Sequence, residues 1–276
     1  MTLKKTLTIA GSDTSGGAGI QADLKTFQEH GTYGMTALTV VVTMDPDTWS
    51  HNVYSLPVDI LKAQIATALS TGIDAIKTGM LSTEEVIQTA GEAIQQSNLA
   101  NIVIDPVMVC KGEDEVLNPG TVDAMIQYLL PHALVTTPNL FEAGQLAGMK
   151  TPKTIEEVKE AAKKIHAHGV KNVFIKGGKA LKSETACDLF YDGETFTLLE
   201  AEKSDNHFNH GAGCTLAAAI TANLANGRAV KEAVMEAKKF VTAAIANGWQ
   251  LNEFVGPVDH GAKNKFGAPN ITETTI

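Results

Sequence analysis

Short apolar runs alternate with longer amphipathic stretches along the whole chain. Several of the runs are nearly continuous in valine, isoleucine and leucine, which is typical of strands buried on both faces of a parallel sheet. They predict strands at residues 7–10, 37–42, 75–78, 102–104, 134–136 and 173–175. The amphipathic stretches predict helices at residues 20–29, 58–70, 83–96, 120–130, 154–168, 214–226 and 230–246. This alternation predicts an α/β fold, with an open, mostly parallel central sheet and helices on both of its faces.

One segment departs from this alternation. Residues 187–191 and 195–199 are two short apolar runs on either side of Asp192-Gly193, which is a strong hairpin signal. We expect this short hairpin at one edge of the sheet. No linker rich in proline, glycine or serine divides the sequence, which predicts a single domain over residues 1–261. Residues 262–276 are largely polar and predict a flexible C-terminal tail.

Composition and charge narrow the possible functions. The chain has 276 residues, of which 44% are hydrophobic and 19% charged, the balance of a globular protein. Its formal net charge of −9 argues against binding nucleic acid through a basic face. No apolar run reaches the length of a membrane span and the first residues contain no signal-peptide core, so we expect a cytoplasmic protein. The cysteines, Cys110, Cys187 and Cys214, form no Cys-x-x-Cys pair, which makes a disulfide framework or a zinc site improbable.

The strongest chemical signal is a glycine-rich turn that leads into an alanine-rich helix. It consists of Gly211, Ala212, Gly213 and Cys214. Unpaired N–H groups and the positive end of a helix together form an anion hole, which suits the charge that develops on a transferred phosphoryl group. At the start of this helix the pKa of the Cys214 thiol should fall toward neutrality, so that it could accept a proton from a hydroxyl group. The alternative is a small residue packed beneath a tight turn.

A second glycine-rich segment follows the first predicted strand. Four glycines within the nine residues 11–19 would let the backbone approach a ligand closely, although a flexible turn is the alternative. The spacing fits neither the dinucleotide fingerprint nor the Walker motif. Asp23, one turn into the following helix, is either an exposed helix aspartate or a contact for a small polar ligand at the sheet's carboxyl edge.

Polar side chains follow three other predicted strands, where ligands of open α/β sheets bind. Asp105 could be a metal–water ligand or a charge partner. Asn139 and Glu142 form a capping-box pattern, but Glu142 could also hold Mg²⁺ through water while Asn139 contacts nucleotide. The sequence Lys176-Gly177-Gly178 could direct charge and backbone amides at phosphate.

In their order and spacing, these segments resemble the ribokinase superfamily. More narrowly, they resemble its branch of pyridoxal kinases and hydroxymethylpyrimidine (phosphate) kinases, and within it the bacterial cysteine-containing pyridoxal kinases. The resemblance covers about residues 5–250 and rests on residues 10–27, 77–81, 105–108, 137–142, 176–178 and 211–216. It implies ATP-dependent phosphorylation of a hydroxymethyl group on a pyridine or pyrimidine ring, with Mg²⁺, a ribokinase-like fold and a homodimer.

The resemblance also implies roles for individual residues. The ring of the substrate would contact Gly11, Asp23, Met80 and Val107, with Met44 and His51 nearby. The ATP contacts would be Asn139, Lys176, Gly177, Gly178, Asp188, Gly213 and Lys238. Glu142 and Asp105 would serve the metal ion, and Gly211, Ala212, Gly213 and Cys214 would form the anion hole, with Cys214 as the base.

Two departures from the superfamily bear on the substrate. Most members carry an aspartate base where this chain has Cys214, and the cysteine argues against a sugar. The hydroxymethylpyrimidine kinases usually carry glutamine where this chain has Met44, and methionine cannot pair with the amino-pyrimidine edge. The sequence therefore favours vitamin B6, especially pyridoxal, over hydroxymethylpyrimidine or its phosphate. A third reading is a non-catalytic protein that binds B6 or a pyrimidine, but such a protein does not need an anion hole.

Cys110 suggests a further hypothesis. It lies at the base of a charged, glycine-containing loop and is either a buried structural cysteine or a reactive thiol. The aldehyde of pyridoxal reacts reversibly with thiolates, so Cys110 could form a hemithioacetal that holds the ring. Cys214 would then deprotonate the 5′-hydroxymethyl group.

Overall fold

The computed structural model describes residues 2–108, 120–181 and 183–276. Within these ranges, ten strands join one sheet. They are β1 (Lys5–Asp13), β2 (Tyr33–Met44), β3 (His51–Ser55), β4 (Ala75–Thr78), β5 (Ile102–Ile104), β6 (Val135–Thr136), β7 (Asn172–Ile175), β8 (Ala186–Tyr191), β9 (Phe196–Ala201) and β10 (Thr272–Thr275). Their order across the sheet is β10-β9-β8-β7-β6-β5-β4-β1-β2-β3.

The middle of the sheet is parallel and its two ends are antiparallel. Strands β2, β1, β4, β5, β6 and β7 run in the same direction. Strand β3 pairs antiparallel with β2 at one end, and β8, β9 and β10 continue antiparallel from β7 at the other. The prediction of an open, mostly parallel sheet is therefore confirmed. The strand order reverses between β1 and β4, and open α/β sheets bind ligands beyond the carboxyl ends of the strands at such a point.

Helices cover both faces of the sheet, as predicted. They are α1 (Gly19–Glu29), α2 (Val58–Leu69), α3 (Glu84–Ser97), α4 (Gly120–Tyr128), α5 (Leu140–Leu146), α6 (Ile155–His166), α7 (Ala212–Ala225), α8 (Val230–Ala246) and α9 (Ala262–Phe266), and a 3-10 turn spans Leu130–His132. Among the described residues, no helix combines the length and the apolar character needed to cross a membrane.

Two apolar layers explain why the strands have hydrophobic residues on both faces. Successive side chains of a strand point to opposite faces of the sheet. Ile102 and Ile104 of β5 therefore join the layer formed with α2 to α6, whereas Val103 joins the layer under α7 and α8. On this second face, Phe27 of α1 packs against α7. Helices α1 and α7 thus lie side by side on this face, where α1 packs against β1 and α7 against β4.

The C-terminal residues differ from their prediction. Residues 262–276 were expected to form a flexible tail, but they contain α9 and β10. Strand β10 pairs antiparallel with β9 and therefore lies outside the predicted hairpin of β8 and β9, which is not at the edge of the sheet. All four residues of β10 are exposed, so backbone pairing rather than apolar burial holds it. Hydropathy therefore cannot predict such a strand.

The opposite end of the sheet carries a second hairpin, formed by β2 and β3, which the sequence did not reveal. Strand β3 is largely exposed and has no apolar alternation. Its pairing with β2 places His51 directly opposite Met44. The hairpin thereby brings two predicted substrate contacts to the carboxyl end of β2.

Candidate active site

A cavity of about 640 Å³ opens at the carboxyl ends of the parallel strands and is bordered by the start of α7. Predicted site residues from many segments line it: Gly11, Met44, His51, Met80, Asp105, Val107, Asn139, Glu142, Lys176, Gly211, Ala212, Gly213 and Cys214. These residues follow different strands or begin a helix, so the parallel topology, rather than closeness in sequence, brings them together.

The loop after β1 is folded tightly against the start of α7. Asp13 accepts a hydrogen bond from the Ala18 N–H at 2.8 Å and lies 2.7 Å from His210 Nε2. Although burial opposes the shift, hydrogen bonds from His210 and neighbouring groups lower the pKa of Asp13 to about 2. The N–H of Gly19, at the end of this loop, donates a hydrogen bond to the Cys214 sulfur. The loop therefore lies beside the sulfur.

The start of α7 has the geometry of an anion hole. Gly211 caps the helix with a φ of 81°, a conformation that favours glycine. Gly213 and Cys214 lie in the first helical turn, where the helix provides no carbonyl partner for the N–H groups, and both residues line the cavity. The Lys176 Nζ lies 3.3 Å from the position that a Cβ would take at Gly213. The positive end of the helix and an ammonium group thus meet at one point of the cavity.

Lys176 is held between two carboxylates. Its Nζ lies 2.9 Å from Asp105 Oδ1 and 4.0 Å from Glu142 Oε2. Although burial opposes the shift, the negative charges of Asp105 and Glu142 raise the pKa of Lys176, which keeps it protonated. Burial raises the pKa of Glu142 to about 7, against the attraction of Lys176. The ammonium group therefore stays charged beside the anion hole.

Asn139 and Glu142 form the predicted capping box at the start of α5. Asn139 Oδ1 accepts a hydrogen bond from the Glu142 N–H at 2.9 Å, and Glu142 Oε2 accepts one from the Asn139 N–H at 2.7 Å. The capping interpretation is thus confirmed. Both residues also line the cavity, which is compatible with the second role predicted for each of them.

The carboxylates at this end of the cavity fit a magnesium ion. The described residues contain no group of three or more His, Cys, Asp or Glu side chains arranged to hold a metal. Mg²⁺ keeps several water molecules, however, and commonly takes only one or two carboxylates together with substrate phosphates. Glu142 and Asp105, both at the cavity, provide that number of carboxylates.

The protonation state of Cys214 differs from its prediction. The side chain is half-buried and lines the cavity. Burial raises the pKa of its thiol to about 11, although the positive charge of Lys77 and the Gly19 N–H act in the opposite direction. The expected shift toward neutrality is therefore wrong, because desolvation outweighs the start of the helix. Cys187 is a buried strand residue, as predicted, and burial raises the pKa of its thiol to about 11.

Asp23 lies elsewhere than predicted. It does not line the cavity, and its side chain is fully buried beneath the cavity floor. Its Oδ2 accepts a hydrogen bond from the Thr8 hydroxyl at 2.6 Å and pairs with the Lys77 ammonium at 3.0 Å. This arrangement arises because α1 packs against β1, so that Asp23 faces Thr8 of β1 and Lys77 of β4 and not the ligand space.

Several predicted ATP contacts lie outside the cavity lining. Asp188 pairs with Lys238 at 2.7 Å and accepts a hydrogen bond from the Gly178 N–H at 2.9 Å. Gly177, next to Gly178, does not line the cavity either. These residues form a cluster beyond Lys176, behind the carboxyl end of β7. Cys110, the second predicted thiol, lies outside the described residues.

Three ionisable residues of the site were assigned no specific role from the sequence. Asp13, Lys77 and His210 all line the cavity. Lys77 could have been found, because it lies within a run that predicts a buried strand. A lysine is almost never fully buried unless it is paired, so its position indicates a buried partner. The pairing of Asp13 with His210 joins residues 197 positions apart and had no local signal.

Comparisons with known proteins all lead to vitamin kinases. The model of the phosphomethylpyrimidine kinase family matches residues 13–259. The chain is 61% identical to a putative pyridoxine kinase of Staphylococcus aureus, with 100% of both chains covered. It is 56% identical to the pyridoxine kinase of Bacillus subtilis, covering 95% of this chain and 97% of that one. A solved structure of the Staphylococcus aureus pyridoxal kinase in complex with AMP-PCP and pyridoxal is similar with a TM-score of 0.96 and 58% identity, with 100% of both chains covered.

Proposed function

The chain belongs to the phosphomethylpyrimidine kinase family, and we propose that it is a vitamin B6 kinase that transfers the γ-phosphoryl group of ATP to the 5′-hydroxymethyl group of pyridoxal and pyridoxine. The resemblance to this branch of the ribokinase superfamily is thereby confirmed, as is the prediction of a phosphotransferase that acts on an alcohol. The observation that carries the proposal is the meeting of the α7 N-terminus, the Lys176 ammonium and Cys214 in one cavity. Phosphoryl transfer to a hydroxyl group needs positive groups that stabilise negative charge and a group that accepts a proton, and this combination provides both.

The first part of the mechanism is the stabilisation of charge. The N–H groups of Gly213 and Cys214 and the Lys176 ammonium stabilise the negative charge on the migrating phosphoryl group. Asn139 keeps its side-chain NH₂ for nucleotide, because its carbonyl oxygen is used in the capping box. Glu142 and Asp105 would hold Mg²⁺, which neutralises charge on the phosphate oxygens when bound.

The second part is the proton transfer. We propose that Cys214 acts as a thiolate, which is a minor species at neutral pH because the pKa of the thiol is about 11. The thiolate accepts the proton of the substrate hydroxyl as the new O–P bond forms and the bond from phosphorus to ADP breaks. The Gly19 N–H lowers the pKa of this thiol and so favours its thiolate form. Gly11, Met80 and Val107 leave an apolar space for the ring, and Met44 and His51 border it.

The competing substrate within the same family is hydroxymethylpyrimidine or its phosphate. The structure places Met44 opposite His51 at the cavity, where a thioether is a weak acceptor and no donor. An amino-pyrimidine would lose a hydrogen bond there, whereas a pyridine ring without that amino group would not. This difference favours the B6 vitamers.

Substrate choice is tested by measuring ADP release with pyridoxal, pyridoxine and hydroxymethylpyrimidine in parallel. We expect the value of kcat/KM to be at least tenfold higher for pyridoxal than for hydroxymethylpyrimidine. In Met44→Gln the ratio should shift toward hydroxymethylpyrimidine by about fivefold to tenfold, since a hydrogen bond is worth about 1–1.5 kcal/mol. ADP release with hydroxymethylpyrimidine alone would contradict the B6 assignment. Binding of pyridoxal without any ADP release would instead indicate a non-catalytic binding protein.

We also propose that the protein is a cytoplasmic homodimer. The edge of the sheet supports the dimer. Three apolar side chains that are close to one another in sequence are exposed there: Val53 and Tyr54 of β3 and Ile60 of α2. Sedimentation equilibrium should give twice the mass of one chain at micromolar concentration. Tyr54→Asp should shift the mass toward that of a single chain. A wild-type protein that sediments as one chain would contradict the proposal.

A further inference from the structure

The floor of the cavity contains a fully buried ion pair. The Lys77 Nζ lies 3.0 Å from Asp23 Oδ2, and neither side chain has any solvent exposure. Asp23 also accepts a hydrogen bond from the Thr8 hydroxyl. Removing two charges from water costs several kcal/mol per ion, and apolar residues of the same size often fill such a position with no loss of stability. Stability therefore does not explain why this ion pair is present.

The lysine lies at the cavity and not deep beneath it. Lys77 is one of the residues that line the cavity, as is Cys214. Gly79 makes this possible, because a Cβ at that position would lie 3.2 Å from the Lys77 Nζ. Among the described residues, this ammonium donates a hydrogen bond to Asp23, and an ammonium has three N–H donors. Lys77 can therefore act on a group inside the cavity.

The charges around Cys214 show which group that is. Charges from four elements act on the sulfur: Lys77 on β4, Asp23 on α1, Asp105 after β5 and Lys176 after β7. Burial opposes ionisation of the thiol, and Lys77 is the strongest of the influences that favour it. In turn, the carboxylate of Asp23 helps to keep Lys77 charged in spite of its burial, because its negative charge raises the lysine pKa.

We propose that Lys77, held in place by Asp23, is the positioning residue that makes the Cys214 sulfur able to accept the proton of the substrate hydroxyl. This inference rests on the proposed function and extends it. The ammonium stabilises the negative charge on sulfur before the proton arrives, and the proton then neutralises that charge. Asp23 thus acts through Lys77 and has no contact with the substrate.

The test compares Lys77→Met with the double variant Lys77→Met/Asp23→Asn. In both variants, we expect kcat with pyridoxal to fall at least thirtyfold while KM changes less than about threefold. Alkylation of Cys214 by iodoacetamide at pH 9, followed on the Cys214 peptide by mass spectrometry, should slow at least fivefold, since less thiolate is present. The double variant leaves no unpaired charge in the interior and keeps the protein folded if the single variant does not.

A purely structural role for the ion pair makes the opposite prediction. In that case the double variant would regain both wild-type kcat and wild-type alkylation of Cys214, and this result would overturn the proposal. The matched control is Lys238→Met/Asp188→Asn, which removes another buried lysine–aspartate pair. Its rate of Cys214 alkylation should equal that of the wild type. Equal slowing in the control and in the Lys77 variants would also overturn the proposal.

The alkylation experiment separates this inference from the proposed function. If the wild-type protein released no ADP with any B6 vitamer, the kinase assignment would fail, yet alkylation would still report the effect of Lys77 on the sulfur. If the kinase were active and alkylation did not respond to loss of Lys77, the assignment would stand and this inference would fail.

Discussion

Replacement of Cys214 by alanine should lower kcat for pyridoxal by at least about 100-fold, the size of a lost general base. KM should change less than threefold, because the apolar space that receives the ring is formed by other residues. The effect arises because alanine has no atom that could take the proton of the substrate hydroxyl. Steady-state ADP release with varied pyridoxal measures both constants.

Two further variants sharpen this experiment. Cys214→Asp should have a kcat at least tenfold higher than that of Cys214→Ala. A carboxyl group ionises far more readily than a thiol whose pKa is about 11, so it can accept the proton. Cys187→Ala is the matched control, since this cysteine is buried in β8 and lies outside the cavity. Its kcat should equal that of the wild type. A Cys214→Ala enzyme that kept kcat within threefold would exclude the sulfur as the base.

The parallel core of the fold could be predicted because hydropathy carries the information. Strands β4 and β5 have the predicted bounds, since each is an apolar run with buried residues on both faces. Strands β3 and β10 could not be found in the same way. Both are exposed and held by backbone pairing at the ends of the sheet, and backbone hydrogen bonds leave no trace in a pattern of side chains.

The residues around the anion hole could be predicted because they follow strand ends or begin a helix. Lys176 and Gly213 illustrate this, since each lies next to a turn whose direction is set by its own element. What the sequence could not give is how far each side chain is from water. Asp23 was expected at the ligand, yet it is turned to β4 by the packing of α1. The predicted direction of the Cys214 pKa shift was wrong for the same reason, because burial depends on the whole fold and not on the local helix.

Substitution of Gly211 by alanine is expected to reduce kcat at least about 100-fold, the cost of losing donors of an oxyanion-type hole. Gly211 has a φ of 81°, and a Cβ at this position would collide with the carbonyl oxygen of Gly17. The turn must then move away from the loop after β1, and the N–H groups of Gly213 and Cys214 move with it. The free energy of unfolding should also fall by about 1–2 kcal/mol, the cost of a left-handed alanine.

Gly227→Ala separates the collision from the backbone strain. Gly227 has a similar φ of 84°, but a Cβ there would meet nothing within 4 Å. This variant should therefore lose about the same 1–2 kcal/mol in urea unfolding and keep wild-type kcat. If Gly211→Ala lost stability alone and kept its kcat, the N–H groups at the start of α7 would not be what stabilises the migrating phosphoryl group. The difference in kcat between the two alanine variants thus measures how much of the rate depends on the position of this turn.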